Sequence, residues 1–64
     1  MIVKRGDLLV VCKVDEKTKF LEVGERVVAI ENATSTRGNK VVCVRREKTD
    51  SLVNVMVCQL KHVV

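Results

Sequence analysis

Apolar residues in this chain gather into short runs separated by polar punctuation. Residues 8–14 form the first run, 26–31 the second, 40–45 the third and 52–57 the fourth. Runs of about 5–7 residues suit strands and are too short for packed helices. Between the second and third runs lies a polar loop, residues 32–39, with Gly38-Asn39 as its turn signal. Residues 47–51 form a shorter turn before the fourth run. The second, third and fourth runs therefore read as an antiparallel meander. The link from 15 to 25 is longer and carries Phe20, Leu21 and Val23. Apolar residues in so polar a link predict that it folds back over an opening in the core. In the tail, residues 58–64, Leu60 and Val63 are three apart, which suits a 3₁₀ turn followed by a last short strand.

A small echo runs through the pattern. Gly6-Asp7-Leu8-Leu9-Val10 and Gly24-Glu25-Arg26-Val27-Val28 share a glycine, an acid and a following apolar step. Glycine permits a tight turn, and the carboxylate can accept free backbone N–H groups there. Both copies are expected to open a strand. Five short strands must curl up to bury their apolar faces, so the expected fold is all-β, a small five-stranded barrel with a 3₁₀ turn near the C-terminus.

The succession resembles the SH3-like barrel. Residues 6–11 look like its first strand and 15–20 like its long first loop. Residues 21–30 look like the diverging turn and second strand, and 55–63 like the closing strand, 3₁₀ turn and final strand. Residues 23–28 followed by 37–42 are also similar to the pattern of KOW modules, which share that scaffold and contact RNA or transcription machinery. The SH3 domains that read proline-rich peptides do so with Tyr, Trp and Pro. This chain has no Trp, Tyr or Pro, and Phe20 is its only aromatic residue. A polyproline reader is thereby excluded.

Composition sharpens the reading. Valine fills 15 of 64 positions, and β-branched residues favour strands. A chain of 64 residues allows one domain, residues 1–64, and one this short buries only about 60% of its unfolded surface. Cys12, Cys43 and Cys58 are odd in number and widely spaced, so they are expected to be reduced, buried thiols in a cytoplasmic protein. The N-terminus lacks the features of a signal peptide, and no apolar run approaches the ~20 residues of a membrane span. The initial Met leads to the expectation of a whole gene product. Arg5-Gly6-Asp7 and Asn32-Ala33-Thr34 match integrin-binding and glycosylation patterns, but they read better as strand opening and loop.

Candidate chemistry is sparse. A catalytic cysteine with His62 has no recognisable base, orienting group and oxyanion hole, so no enzyme is expected. Cys12, Cys43, Cys58 and His62 lack the close ligand pairs of structural zinc, so neither metal nor cofactor is expected, nor a small-molecule substrate or membrane partner. The informative feature is an apolar excess. Half-buried strands alternate apolar and polar residues, yet the first three runs are apolar on both faces. Only one face can point inward. The other predicts a partner protein or self-association, with Leu9, Val11, Val27 and Val42 as the outward set, rimmed by Arg and Lys. The expected role is a small protein-binding adaptor or inhibitor of the kind encoded by bacteria and their phages. The net charge of +4 supports an alternative, a basic strand face of Arg26, Arg37, Lys40, Arg45 and Arg46 contacting nucleic-acid phosphates. Without aromatic platforms, such contact would be directed at the backbone.

Overall fold

The computed structural model describes residues 1–37 and 39–63. Among these described residues there are seven strands: β1 (Ile2–Val3), β2 (Leu8–Val11), β3 (Arg26–Ala29), β4 (Ala33–Thr34), β5 (Val41–Arg46), β6 (Leu52–Met56) and β7 (Leu60–His62). One 3₁₀ turn, η1 (Val57–Gln59), stands between β6 and β7.

Two copies of one turn frame the first strand pair. In Lys4-Arg5-Gly6-Asp7, the Asp7 N–H donates to the Lys4 carbonyl at 2.9 Å. The Lys4 N–H donates back to Asp7 Oδ2 at 2.9 Å. In Glu22-Val23-Gly24-Glu25 the same two bonds recur, Glu25 N–H to Glu22 O at 3.1 Å and Glu22 N–H to Glu25 Oε2 at 2.6 Å. Gly6 (φ 91°) and Gly24 (φ 96°) hold the third position in the left-handed region, which a Cβ disfavours. Each glycine then bonds the far end of the opposite strand. Gly6 N–H reaches Ala29 O at 2.8 Å, and Gly24 N–H reaches Val11 O at 2.7 Å. Ala29 N–H donates to Asp7 O at 3.0 Å, and Val11 N–H to Glu25 O at 3.0 Å. The β2–β3 pair is therefore closed at both ends by the same device, related by a local two-fold axis. The echo seen in the sequence is this pair of turns.

Five strands form one antiparallel sheet in the order β6-β5-β3-β2-β7. The meander β3-β5-β6 is present as expected, and β7 returns to pair with β2. The expectation of five strands closed into a barrel needs revision. A separate ribbon joins β1 to β4, with Val3 opposite Ala33. Among the described residues no ladder joins the edge strands β6 and β7. Two-residue strands are too short to display an alternating pattern, so β1 and β4 were invisible in a terminus and a polar loop. The Gly38-Asn39 turn signal cannot be placed, because Gly38 lies outside the described residues.

Valine dominates the core, with Leu9, Leu21, Leu60, Ala29 and Ala33 beside it. Leu9 and Val3, Val11, Val27, Val42, Val44, Val55 and Val57 are the largest fully buried side chains. The long β2–β3 connection caps this core through Leu21, which is 4% exposed. Phe20 and Val23, expected to share that task, are exposed instead. A buried polar hinge holds the connection down. Gln59 Nε2 donates to Thr18 Oγ1 at 2.8 Å and to Lys13 O at 3.3 Å, while Gln59 Oε1 accepts the Met56 N–H at 2.9 Å. Thr18 in turn meets Asp15 Oδ1 at 3.0 Å. Among the described residues every buried side-chain N or O atom has a partner, as a small core requires.

Replacing Gly24 with alanine puts a Cβ on a left-handed residue and should cost about 1–2 kcal/mol of stability, although the space beside it is empty. Urea denaturation of Gly24→Ala and Gly6→Ala checks this; similar losses are expected because the two turns are equivalent.

Candidate interaction surface

Side-chain direction follows from the ladder register. Leu9 and Val11 on β2, Val27 and Ala29 on β3, and Val42 and Val44 on β5 point inward and are buried. The four residues expected to face a partner, Leu9, Val11, Val27 and Val42, are each 0% exposed and offer no contact surface. The opposite set faces outward. The sequence held the signal for this choice. Arg26 shares parity with Val28 and Ile30, Arg45 with Val41 and Cys43, and Asn54 with Leu52 and Met56. A polar residue in an apolar run marks the solvent side.

The outward face is nonetheless apolar along its middle except at Arg45. Leu8 lies opposite Val28, Val28 opposite Arg45, and Arg45 opposite Leu52, giving one row across four strands. Val10 and Cys43 project from the same face, and Ile30 follows in phase after β3. Leu8, Val10, Val28, Ile30 and Cys43 are half-buried, and Leu52 is 59% exposed. Basic residues edge this patch. Val10 pairs with Arg26 on one side and with Lys61 on the other.

The five residues of the expected phosphate-binding face do not gather. Arg26 and Arg45 share the outward face, and Arg45 is tied to Asp50 at 3.0 Å. Arg37 and Lys40 are exposed in the connection between β4 and β5. Arg46 continues the inward parity of Val42 and Val44. At the end of β5 its Nε meets Glu25 Oε1 at 2.7 Å and its Nη2 meets Glu25 Oε2 at 3.1 Å. The pair is nearly buried, with side-chain exposures of 12% and 5%. Its guanidinium also stands 5.8 Å from the centre of the Phe20 ring, a cation–π contact. Arg46 is thus a structural residue that ends the core with a satisfied charge. The bond from Arg46 holds the Glu25 carboxyl below its ordinary pKa, with a smaller contribution from the Glu22 N–H.

The cysteines depart from expectation as well. Cys12 is exposed, and Cys43 and Cys58 are partly exposed. All three are free thiols. Among the described residues no three His, Cys, Asp or Glu side chains converge as a metal site would require. His62 Nε2 is 3.1 Å from Asp7 Oδ2. Among the described residues no helix is long and apolar enough to cross a membrane.

One feature had no sequence signal. A cleft of about 480 Å³ opens between residues 15–18 of the long connection and the β5–β6 end of the sheet, lined by Val41, Asn54 and Met56. It exists because residues far apart in the chain meet there. Thr18, on its wall, is committed to Gln59 and Asp15, so it is not poised as a nucleophile.

Comparison with protein-family models, with curated proteins and with solved structures found no match for this chain.

The parity of the faces predicts unequal costs at adjacent positions. Leu9→Ala should lose about 2–5 kcal/mol, whereas Leu8→Ala, on the outward face, should lose about 1 kcal/mol or less; urea denaturation measures both. The Glu25–Arg46 pair predicts a pH dependence. Because the folded carboxyl has a lowered pKa, its contribution is complete above the ordinary glutamate range. It fades as pH falls through the folded value. The stability gap between the parent chain and Arg46→Gln should therefore be widest at neutral pH and shrink in acid, as thermal unfolding across pH would register.

Proposed function

We propose that this chain is a non-catalytic binding module, a small adaptor or inhibitor that docks a protein on the outward face of its five-stranded sheet. One observation carries the reading: the cross-strand row Leu8–Val28–Arg45–Leu52, with Val10, Ile30 and Cys43 beside it. Solvated antiparallel sheets present polar residues on their outer face. Here that face is apolar except at Arg45, whose charge is paired with Asp50, and Arg26 and Lys61 edge it beside Val10, an arrangement that suits an interface. The inner face already encloses a complete core, so folding does not call for apolar residues on the outside.

An SH3-like scaffold is part of the same proposal. The order β6-β5-β3-β2-β7, the long β2–β3 connection and the 3₁₀ turn ahead of β7 support it. The docking face proposed here does not need an aromatic groove, in keeping with a chain whose only aromatic residue packs beside Arg46.

Affinity capture with the immobilised chain tests the reading. Proteins retained by the parent should be lost with Val28→Glu and kept with Val23→Glu, a control in an exposed turn. Binding should depend weakly on salt, and generic DNA and RNA should not be retained at low salt. Retention that Val28→Glu leaves intact, or a steep loss of DNA or RNA binding with salt, would refute it.

A further inference from the structure

The two edges of the main sheet differ. β7 is guarded by Lys61 and His62, whereas β6 reads Leu52-Val53-Asn54-Val55-Met56, with neither charge nor proline. Open edges are ordinarily blunted by charges, proline or bulges, because unpaired N–H and C=O groups template another strand. Which groups of β6 are open follows from the register. Arg46 N–H donates to Ser51 O at 2.9 Å and Val57 N–H to Lys40 O at 2.9 Å, one on either side of the β5–β6 ladder. The residues of β6 bonded to β5 are therefore Val53 and Val55. The backbone groups of Leu52, Asn54 and Met56 point to the free side. The Met56 N–H bears this out, since Gln59 Oε1 accepts it from that side.

We infer that β6 pairs antiparallel with β6 of a second copy, about a two-fold axis at Asn54. Three observations select this occupant. The strand is self-complementary about Asn54: Leu52 would face Met56 of the second copy, and Val53 would face Val55. Each such pair is apolar, and Asn54 faces Asn54. The strand is also neutral on a chain of net charge +4, so two copies can meet along it without opposing like charges at the seam. Finally, the edge has room. The cleft of about 480 Å³ lies between residues 15–18 and Asn54, Val55 and Met56, and among the described residues the connection meets the edge only through Gln59 at the Met56 N–H.

The pairing accounts for the open groups apart from the Leu52 carbonyl. Asn54 exchanges two backbone hydrogen bonds with its counterpart, and Leu52 N–H reaches the Met56 carbonyl at each end. Met56 N–H keeps Gln59. Leu52 and Val41, exposed at 59% and 54%, join Met56 in one apolar row across the seam. A two-fold, isologous pairing is closed and stops at two copies. This inference stands on the β6 edge and shares only Leu52 with the docking face proposed above, so Asn54→Lys and Val28→Glu tell the two apart.

Light scattering and sedimentation of the full chain over a concentration series supply the test. The mass should rise from one copy toward two and go no further. Amide exchange at Leu52 and Asn54 should slow as the dimer forms. Asn54→Lys places like charges at the axis, and Asn54→Pro removes an N–H that β5 does not use. Both should return the mass to one copy. Leu52→Lys, at an exposed position, serves if either fails to keep the parent circular dichroism. A chain that remains monomeric at its highest soluble concentration overturns the inference. So does a dimer that survives all three substitutions, or one broken by Val28→Glu alone.

Discussion

The clasp between β2 and β3 is the constraint on which the rest depends. Each strand is entered through a glycine at positive φ, and each glycine N–H bonds the last carbonyl of the other strand. With both ends of the pair fixed, the register cannot slip by a residue. A slip would turn every side chain to the other face. In strands that are apolar on both faces, side-chain hydrophobicity resists such a slip poorly. Backbone hydrogen bonds and two glycines supply the specification instead. The carboxylates of Asp7 and Glu25 complete the turns by accepting N–H groups that would otherwise go unpaired. The Asp7 carboxyl is held below its ordinary pKa first by the Lys4 N–H and then by His62.

From that register the core and its limits follow. β-branched side chains fill the interior from every strand of the main sheet except β7, which adds Leu60. The core ends where Arg46 takes the inward position that valines hold earlier on β5. A charge there is tolerable because Glu25, delivered by the second clasp turn, meets it with two hydrogen bonds. One acid thus serves a turn and an ion pair. The buried Gln59 plays a comparable double part at the other end, fastening the long connection and closing η1.

What is left over is apolar surface in two places, the outer face of the sheet and the bare edge of β6. Neither is demanded by the interior, and both are the kinds of surface that partners cover. They also meet, since Leu52 belongs to the outward row and to the edge. A second copy paired along β6 would extend the outward face, so docking and self-association need not compete.

Much of this was legible in the residues alone. Runs of valine at strand length gave the four longer strands of the main sheet, and Leu60 and Val63 pointed to a turn and a last strand. The repeated glycine–acid step marked two turns because only glycine is at ease at positive φ. The outward set was legible too, through Arg26, Arg45 and Asn54, although the apolar excess on both faces masked it. The ribbon of β1 and β4, the burial of Arg46 and the cleft beside β6 were decided only by tertiary structure. Each depends on contacts between residues distant along the chain, and neither local propensity nor periodicity encodes which distant partner a residue will meet.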